Sequence, residues 1–336
     1  MVPTPSNPKL VGIQYFVNPD HDIWLETVHL IYENEKWFLS EDDYDTWIKA
    51  FGDDNFNLII ALDTGKNEVV GCISVARFVS ENSGPDTGTI DPFISVGMYF
   101  VKPTHRKIGL GIELWRRAFE DERFQKANTG LISVEEMWEK YSKLHGFCQI
   151  SEAKVVVCRG IVSDIHTRNL AVSSELRVVD FKNACAELGL NAIATFDASM
   201  NGGLRRDRFL KAWLEASNSL ASHVAINFRQ EIVGYISLRK SLSNDLSVAP
   251  LYAKTPDVAS TLLRSAFESV EDLYQYRYIF FHPLTTNSTA RKLFVKLTVG
   301  TVIPIATLTP QFTSKIPTIQ SENIFSVTDI GTCAFF

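Results

Sequence analysis

The sequence predicts an α/β (α+β) protein of two tandem domains, each a mixed, mostly antiparallel sheet flanked by helices. Three observations carry this. A chain of 336 residues is long for one core and natural for two. Residues 10–160 read as β-α-α-β-β-β-α-β-α-β. From residue 178 a similar pattern begins again. The domains expected are therefore 1–162 and 178–336, with the polar stretch 163–177 as linker.

In the first half, residues 10–17 predict a short strand. Pro19-Asp20 then opens a helix with Ile23, Trp24, Val28, Leu30 and Ile31 on its apolar face. A second helix is expected over 41–51, carrying Tyr44, Trp47 and Ile48. Residues 57–62 and 68–79 read as antiparallel strands around the turn 63–67, followed by a Gly/Pro/Ser-rich loop over 80–89. Residues 93–101 form an aromatic and β-branched strand, and 109–123 a helix. A buried strand over 130–134, a helix over 135–144 stopped by His145-Gly146-Phe147, and a strand over 152–161 complete the half.

In the second half, helices are expected over 178–188 and 206–220, and strands over 224–228, 232–238 and 246–253. Pro256 fits the first turn of a helix over 257–270. A strand over 278–282, a helix over 288–297 and strands across 302–307 and 323–336 follow.

Composition narrows the function. Apolar residues make up 45% and charged residues 21%, as in ordinary globular proteins, and no apolar run has membrane-spanning length. Met1-Val-Pro-Thr-Pro lacks the basic and apolar parts of a secretory signal. Cys72, Cys148, Cys158, Cys185 and Cys333 show no Cys-x-x-Cys spacing and read as buried thiols in a reducing compartment, so a cytoplasmic or nuclear location is expected. Residues 1–160 carry 16 Lys+Arg against 24 Asp+Glu, or −8, and the remaining 17 and 15 give +2. Without a basic stripe interleaved with aromatics, neither nucleic acid nor membrane is an expected partner.

The stretch 99–118 organises the chain. Between strand and helix lies Arg106-Lys107-Ile108-Gly109-Leu110-Gly111, where glycines leave amides unshielded and the following helix, with Ile112 in its first turn, adds its positive dipole end. That is a cradle for phosphate or pyrophosphate. Neither the dinucleotide Gly-x-Gly-x-x-Gly nor the P-loop Gly-Lys-Ser/Thr is present. Arg-x-x-Gly-x-Gly after a strand ending Val-x-Pro (Val101, Pro103, Arg106, Gly109, Gly111) instead resembles the acyl-CoA loop of the GNAT (GCN5-related N-acetyltransferase) superfamily.

The resemblance covers 10–160 and, more loosely, the second half. There Asn287-Ser-Thr-Ala-Arg-Lys-Leu-Phe294 is similar to the superfamily's Asn-x-x-Ala-x-x-Leu-Tyr helix. No Arg-x-x-Gly-x-Gly lies between Ala253 and Leu262, and Asp257 puts a carboxylate at the helix start, so one CoA site is expected, in the first half. The resemblance implies an N-acyltransferase carrying an acetyl group from acetyl-CoA to a primary amine, on a small molecule or a lysine, as a monomer or homodimer and without metal. It implies that amides around Phe100 and Val101 polarise the thioester, with Tyr99 alongside. A catalytically silent acyl-CoA-binding or scaffold protein is the rival reading.

The acid is where this chain departs from the family, whose tyrosine stands five residues before the Gly-Phe phenylalanine. Counting back from Phe147 reaches Ser142, with Tyr141 one residue, about 100° of helix, away. Glu135 stands where the family commonly has asparagine. Glu81, Asp91 and Glu135 lie near the expected acceptor side, and His105 reads as a loop cap. The segment 33–54 holds Glu33, Glu35, Glu41, Asp42, Asp43, Asp45, Asp53 and Asp54 against Lys36 and Lys49. It reads either as a solvated face or as an acidic rim attracting a cationic amine.

Overall fold

The computed structural model describes residues 7–79 and 92–331. The loop expected over 80–89, Glu81, Asp91, Cys333 and the end of the last expected strand lie outside these residues.

The first half runs β1 (Ile13–Val17), α1 (His21–Glu35), α2 (Asp43–Phe51), β2 (Phe56–Asp63), β3 (Glu68–Phe78), β4 (Phe93–Val101), α3 (Leu110–Ala118), β5 (Asn128–Val134), α4 (Trp138–His145), β6 (Gln149–Ile150) and β7 (Val155–Ile161). The second runs β8 (Leu176–Asp180), α5 (Phe181–Leu188), α6 (Leu190–Met200), α7 (Asp207–Leu214), β9 (Ser219–Asn227), β10 (Ile232–Lys240), β11 (Leu246–Ala253), α8 (Pro256–Ser269), β12 (Tyr278–Phe281), α9 (Ser288–Leu297), β13 (Ile303–Phe312) and β14 (Ile324–Ser326). Local chemistry sets the ends. Gly146, at φ 76°, terminates α4 in the left-handed conformation. Thr255 caps α8 with Pro256 at its first turn, and Asn287 caps α9.

The fourteen strands among the described residues share one mixed, mostly antiparallel sheet, ordered β1-β2-β3-β4-β5-β13-β7-β12-β11-β10-β9-β8, with β6 on β13 and β14 on β11. The halves exchange strands. β13, from the end of the chain, lies between β5 and β7, while β7 of the first half pairs with β12 of the second. The stretch 163–177 therefore separates two repeats of a pattern, and not two sheets. One core cluster, on the face bearing α1, α2 and α5 to α7, runs across both halves. On the other face α3 and α4 cover the first half, and α8 and α9 the second.

Some boundaries differ from the sequence reading. Residues 176–180 form an edge strand on β9 rather than helix, because the adjacent β-branched Val178 and Val179 favour extended backbone. The helix over Leu190–Met200 was not foreseen; Gly189 separates it from α5 and masks its period. The helix after Gly109 ends at Ala118, and α7 at Leu214, where β9 begins within five residues. Residues 135–137 make a 3-10 turn ahead of α4. Of the described cysteines, Cys72 and Cys158 are buried but Cys148 is exposed, against expectation.

Candidate active site

The site begins with a parallel pair that parts. β4 and β5 are hydrogen-bonded only from Phe93–Ser95 to Asn128–Gly130, after which β5 turns to β13. A register shift against β3 between Cys72 and Ser74 puts both Met98 and Tyr99 opposite Ile73, and Met98 takes φ 44°. Beyond the bulge, Tyr99, Phe100 and Val101 lead to the glycine loop.

Gly109 caps α3 at φ 92°, a conformation that penalises any Cβ. The first intrahelical bond here is Glu113 N to Gly109 O, so the amides of Leu110, Gly111 and Ile112 precede the helix's own acceptors. Gly111 is required by closeness: a Cβ there would stand 2.6 Å from the Tyr99 hydroxyl. Leu110 is buried in the core, Ile112 exposed. Arg106 braces the loop: its Nε donates to the Val101 carbonyl at 2.8 Å and Nη2 to Glu35 at 2.7 Å. Lys107, at φ 67°, is exposed, and Ile108 accepts from Asn7 Nδ2 at 2.9 Å.

Tyr99 and Tyr141 meet beneath this loop, ring centroids 6.2 Å apart, within a cluster of Trp115, His145 and Phe147. Burial pushes the Tyr99 phenol up to about 12 and Tyr141 higher still, the latter with help from Tyr99. Burial, then Lys140, pulls His145 down to about 4. Tyr141 is therefore a protonated phenol beside the cradle. Ser142 is differently employed: its hydroxyl donates to the Phe147 carbonyl at 2.8 Å, closing the helix. Glu135 is exposed on the turn before α4.

Two contributions come from the second half and were not legible as site residues. Gln311 of β13, fully buried, donates to the Trp138 and Phe147 carbonyls at 3.0 and 3.2 Å and accepts from Ser133 at 2.9 Å, holding α4 to the sheet. The Met98 amide donates to the Gly331 carbonyl at 2.8 Å. No local sequence signal marks either, since in each case the partners lie far apart along the chain.

The second half has a similar parting that is closed. β11 pairs in parallel with β12 only over Leu246–Val248, and its next residues, Leu251 and Tyr252, pair with Ser326 and Ile324 of β14. On the helical side, the buried Asp197 binds Arg206 at 2.8 Å and receives the Tyr235 hydroxyl at 2.5 Å.

Four of the eight carboxylates in the acidic segment face a basic side chain. Glu35 binds Arg106, Glu41 faces His29, Asp54 meets Arg123, and Asp43 is buried against Arg239. Asp42 and Asp45 keep more exposure. His105 is buried between Thr104 and Asp63, as a cap. With Glu68 these make a trio, Asp63, Glu68 and His105, with ligand atoms within 4.8 Å of one another. The Lys102 ammonium, 2.7 Å from Glu68, already supplies positive charge there.

The fold is that of tandem GNAT proteins. The chain belongs to the family described as "Protein of unknown function (DUF1248)", whose model matches residues 11–188. A model for the acetyltransferase (GNAT) domain matches residues 193–306, so the recognisable GNAT sequence lies in the half without the glycine loop. The chain is 24% identical over 281 residues to the uncharacterised protein F36G3.2 of Caenorhabditis elegans, covering 81% of each. Among solved structures it resembles a presumed acetyltransferase of Pyrococcus horikoshii, with TM-score 0.66, 14% identity and 96% of each chain covered. It also resembles a tandem GNAT protein from the clavulanic acid biosynthesis pathway, with TM-score 0.61, 12% identity, and 89% and 98% coverage. No helix among the described residues is long and apolar enough to cross a membrane.

Proposed function

We propose that the first half binds acetyl-CoA and transfers its acetyl group to a primary amine, with the second half completing its sheet. One contrast carries this reading: the glycine-bounded loop and free first turn of α3 follow the parted β4, whereas β14 closes the matching gap beside β11. The pyrophosphate would lie on the amides of Gly109 to Ile112, with Lys107 nearby and Arg106 fixing the loop. The pantetheine would run along Tyr99, Phe100 and Val101.

In this reaction the amine lone pair attacks the thioester carbon, the nitrogen gives up one proton to solvent, the C–S bond breaks to leave the amide, and the CoA thiolate takes a proton. Tyr141 is the residue proposed to give that proton, since burial keeps its phenol protonated. Ser142, whose proton already goes to Phe147, supports the helix instead. Glu135, exposed on the turn before α4, is proposed to meet the acceptor rather than the thioester. We further propose a cytoplasmic or nuclear enzyme, monomeric or homodimeric, acting on a small amine or a lysine side chain.

The test is release of free CoA from acetyl-CoA over an amine panel. Turnover that is lost in Gly111→Glu supports the reading. Saturable binding without turnover would mean a silent acyl-CoA-binding protein.

A further inference from the structure

At the far end of β4, α2 and α7 bound a small solvent-open cleft of about 40 Å3, whose lining includes Arg77, Arg205, Arg206, Arg208 and Asp207. It is remote from the glycine loop. Phe78, in its wall, pairs with Phe93 at the start of β4, whereas the loop follows Val101 at the end. Eight strand steps are about 26 Å. Its floor is the packed rings of Phe51, Phe78 and Phe209, so its specificity must come from the rim.

The Arg206 side chain is fully buried, and like charges left unpaired around one cleft repel unless an anion intervenes. Two of the arginines are answered within the protein: Arg205 binds Asp207 through two hydrogen bonds, and Arg206 binds Asp197. Arg77 and Arg208 are not. Arg77 Nη1 reaches the Asn55 side-chain oxygen at 3.5 Å, and Arg208 Nε donates to the Lys49 carbonyl at 2.8 Å. Both acceptors are neutral, and no carboxylate among the described residues pairs with either arginine. The cleft also holds the start of α7, where Leu210 N to Arg206 O is the first helical bond, leaving the amides of Asp207, Arg208 and Phe209 ahead of it.

We propose that this cleft is a phosphate-group site, with Arg77 of the first half and Arg208 of the second as its charged donors. Guanidinium forks match phosphate oxygens in pairs, so the two arginines carry the recognition despite the Asp207 carboxylate at the start of α7. The space suits one phosphate group, free or on a small metabolite. An occupant would bridge the halves, and the site stands independently of the acyl-transfer reading.

The test titrates inorganic phosphate at constant ionic strength, with chloride as control, following Tm and the 31P line width. Because the glycine loop also attracts anions, the titration is run in the Gly111→Glu background as well as in the unaltered chain. A saturable rise in Tm is expected in both, lost on adding Arg77→Gln or Arg208→Gln. Phenyl phosphate distinguishes the sources: tighter binding than inorganic phosphate indicates a phosphorylated metabolite, weaker binding the free ion. No saturable rise beyond chloride, or a rise surviving both arginine changes, overturns the site. Should Arg208→Gln disturb α2 through Lys49, Arg77→Gln decides alone.

Discussion

Asp43 of α2 and Arg239 of β10 form an ion pair at 2.9 Å across the two halves, with side chains only 8% and 2% exposed. Asn218 and the Ser40 amide also donate to Asp43, while Arg239 lies 3.6 Å over the Trp213 ring. Burial raises the Asp43 pKa and lowers that of Arg239, so desolvation opposes the pair even as Coulomb attraction holds it. Its value is in placement. It fixes α2 over the second half.

Removing one partner should therefore be costly. Asp43→Ala should lose about 3–5 kcal/mol in urea unfolding, because Arg239 would be left buried and unpaired. Asp45→Asn, at an exposed position of the same helix, should change stability by less than about 1 kcal/mol. Similar losses from both would mean that Asp43 is no more than a surface carboxylate.

The glycine loop makes a graded prediction. Gly111→Ala should already weaken acetyl-CoA binding, since its Cβ would displace the Tyr99 hydroxyl from 2.6 Å. Gly111→Glu and Gly109→Glu should abolish binding while circular dichroism stays that of the folded chain. Calorimetry returning an unchanged affinity for any of these folded variants would remove the cradle from the site.

Tyr141 and Ser142 separate chemistry from support. Tyr141→Phe should lower kcat by roughly a hundredfold or more with acetyl-CoA affinity retained, the usual scale for a lost general acid. Ser142→Ala should instead cost about 1 kcal/mol of stability by breaking the bond to Phe147. A Tyr141→Phe enzyme with full kcat would return this phenol to core packing.

The parts legible in the sequence were the local ones. Gly109 and Gly111 announced a turn that their φ angle and close approach to Tyr99 explain, and Thr255-Pro256 and Asn287 announced helix starts. What escaped were long-range pairings. Gln311 reads as an ordinary polar residue in a strand until β13 crosses to β5, and Asp43 reads as one of several acids until Arg239 covers it. Hydrophobic period fixes which face of a strand is buried, but not which neighbour it finds.

Stoichiometry tests the contrast between the halves. Titration should saturate at one acetyl-CoA per chain, because the bonds of β14 to Leu251 and Tyr252 occupy the gap that a second cofactor would need. A ratio of two, or a second site retained in Gly111→Glu, would show that the second half binds CoA despite β14.

Acid should weaken the protein through His282. Its side chain is buried, its Nδ1 is 3.5 Å from the Ser247 hydroxyl, and its Nε2 has no partner among the described residues. Burial lowers its pKa from 6.5 to about 4. Between these values the unfolded chain binds a proton that the folded chain does not, so stability falls as the pH drops through the window. The slope is at most about 1.4 kcal/mol per pH unit, and above the unfolded pKa the contribution is flat. His145, lowered to about 4 but only half-buried, adds a smaller part of the same sign. Urea unfolding of the unaltered chain and of His282→Asn at about pH 7 and pH 5 measures the difference. The variant should lose less stability on acidification, whatever its stability at neutral pH. Equal losses in the two proteins would show that the imidazole is protonated, or reached by water, within the fold.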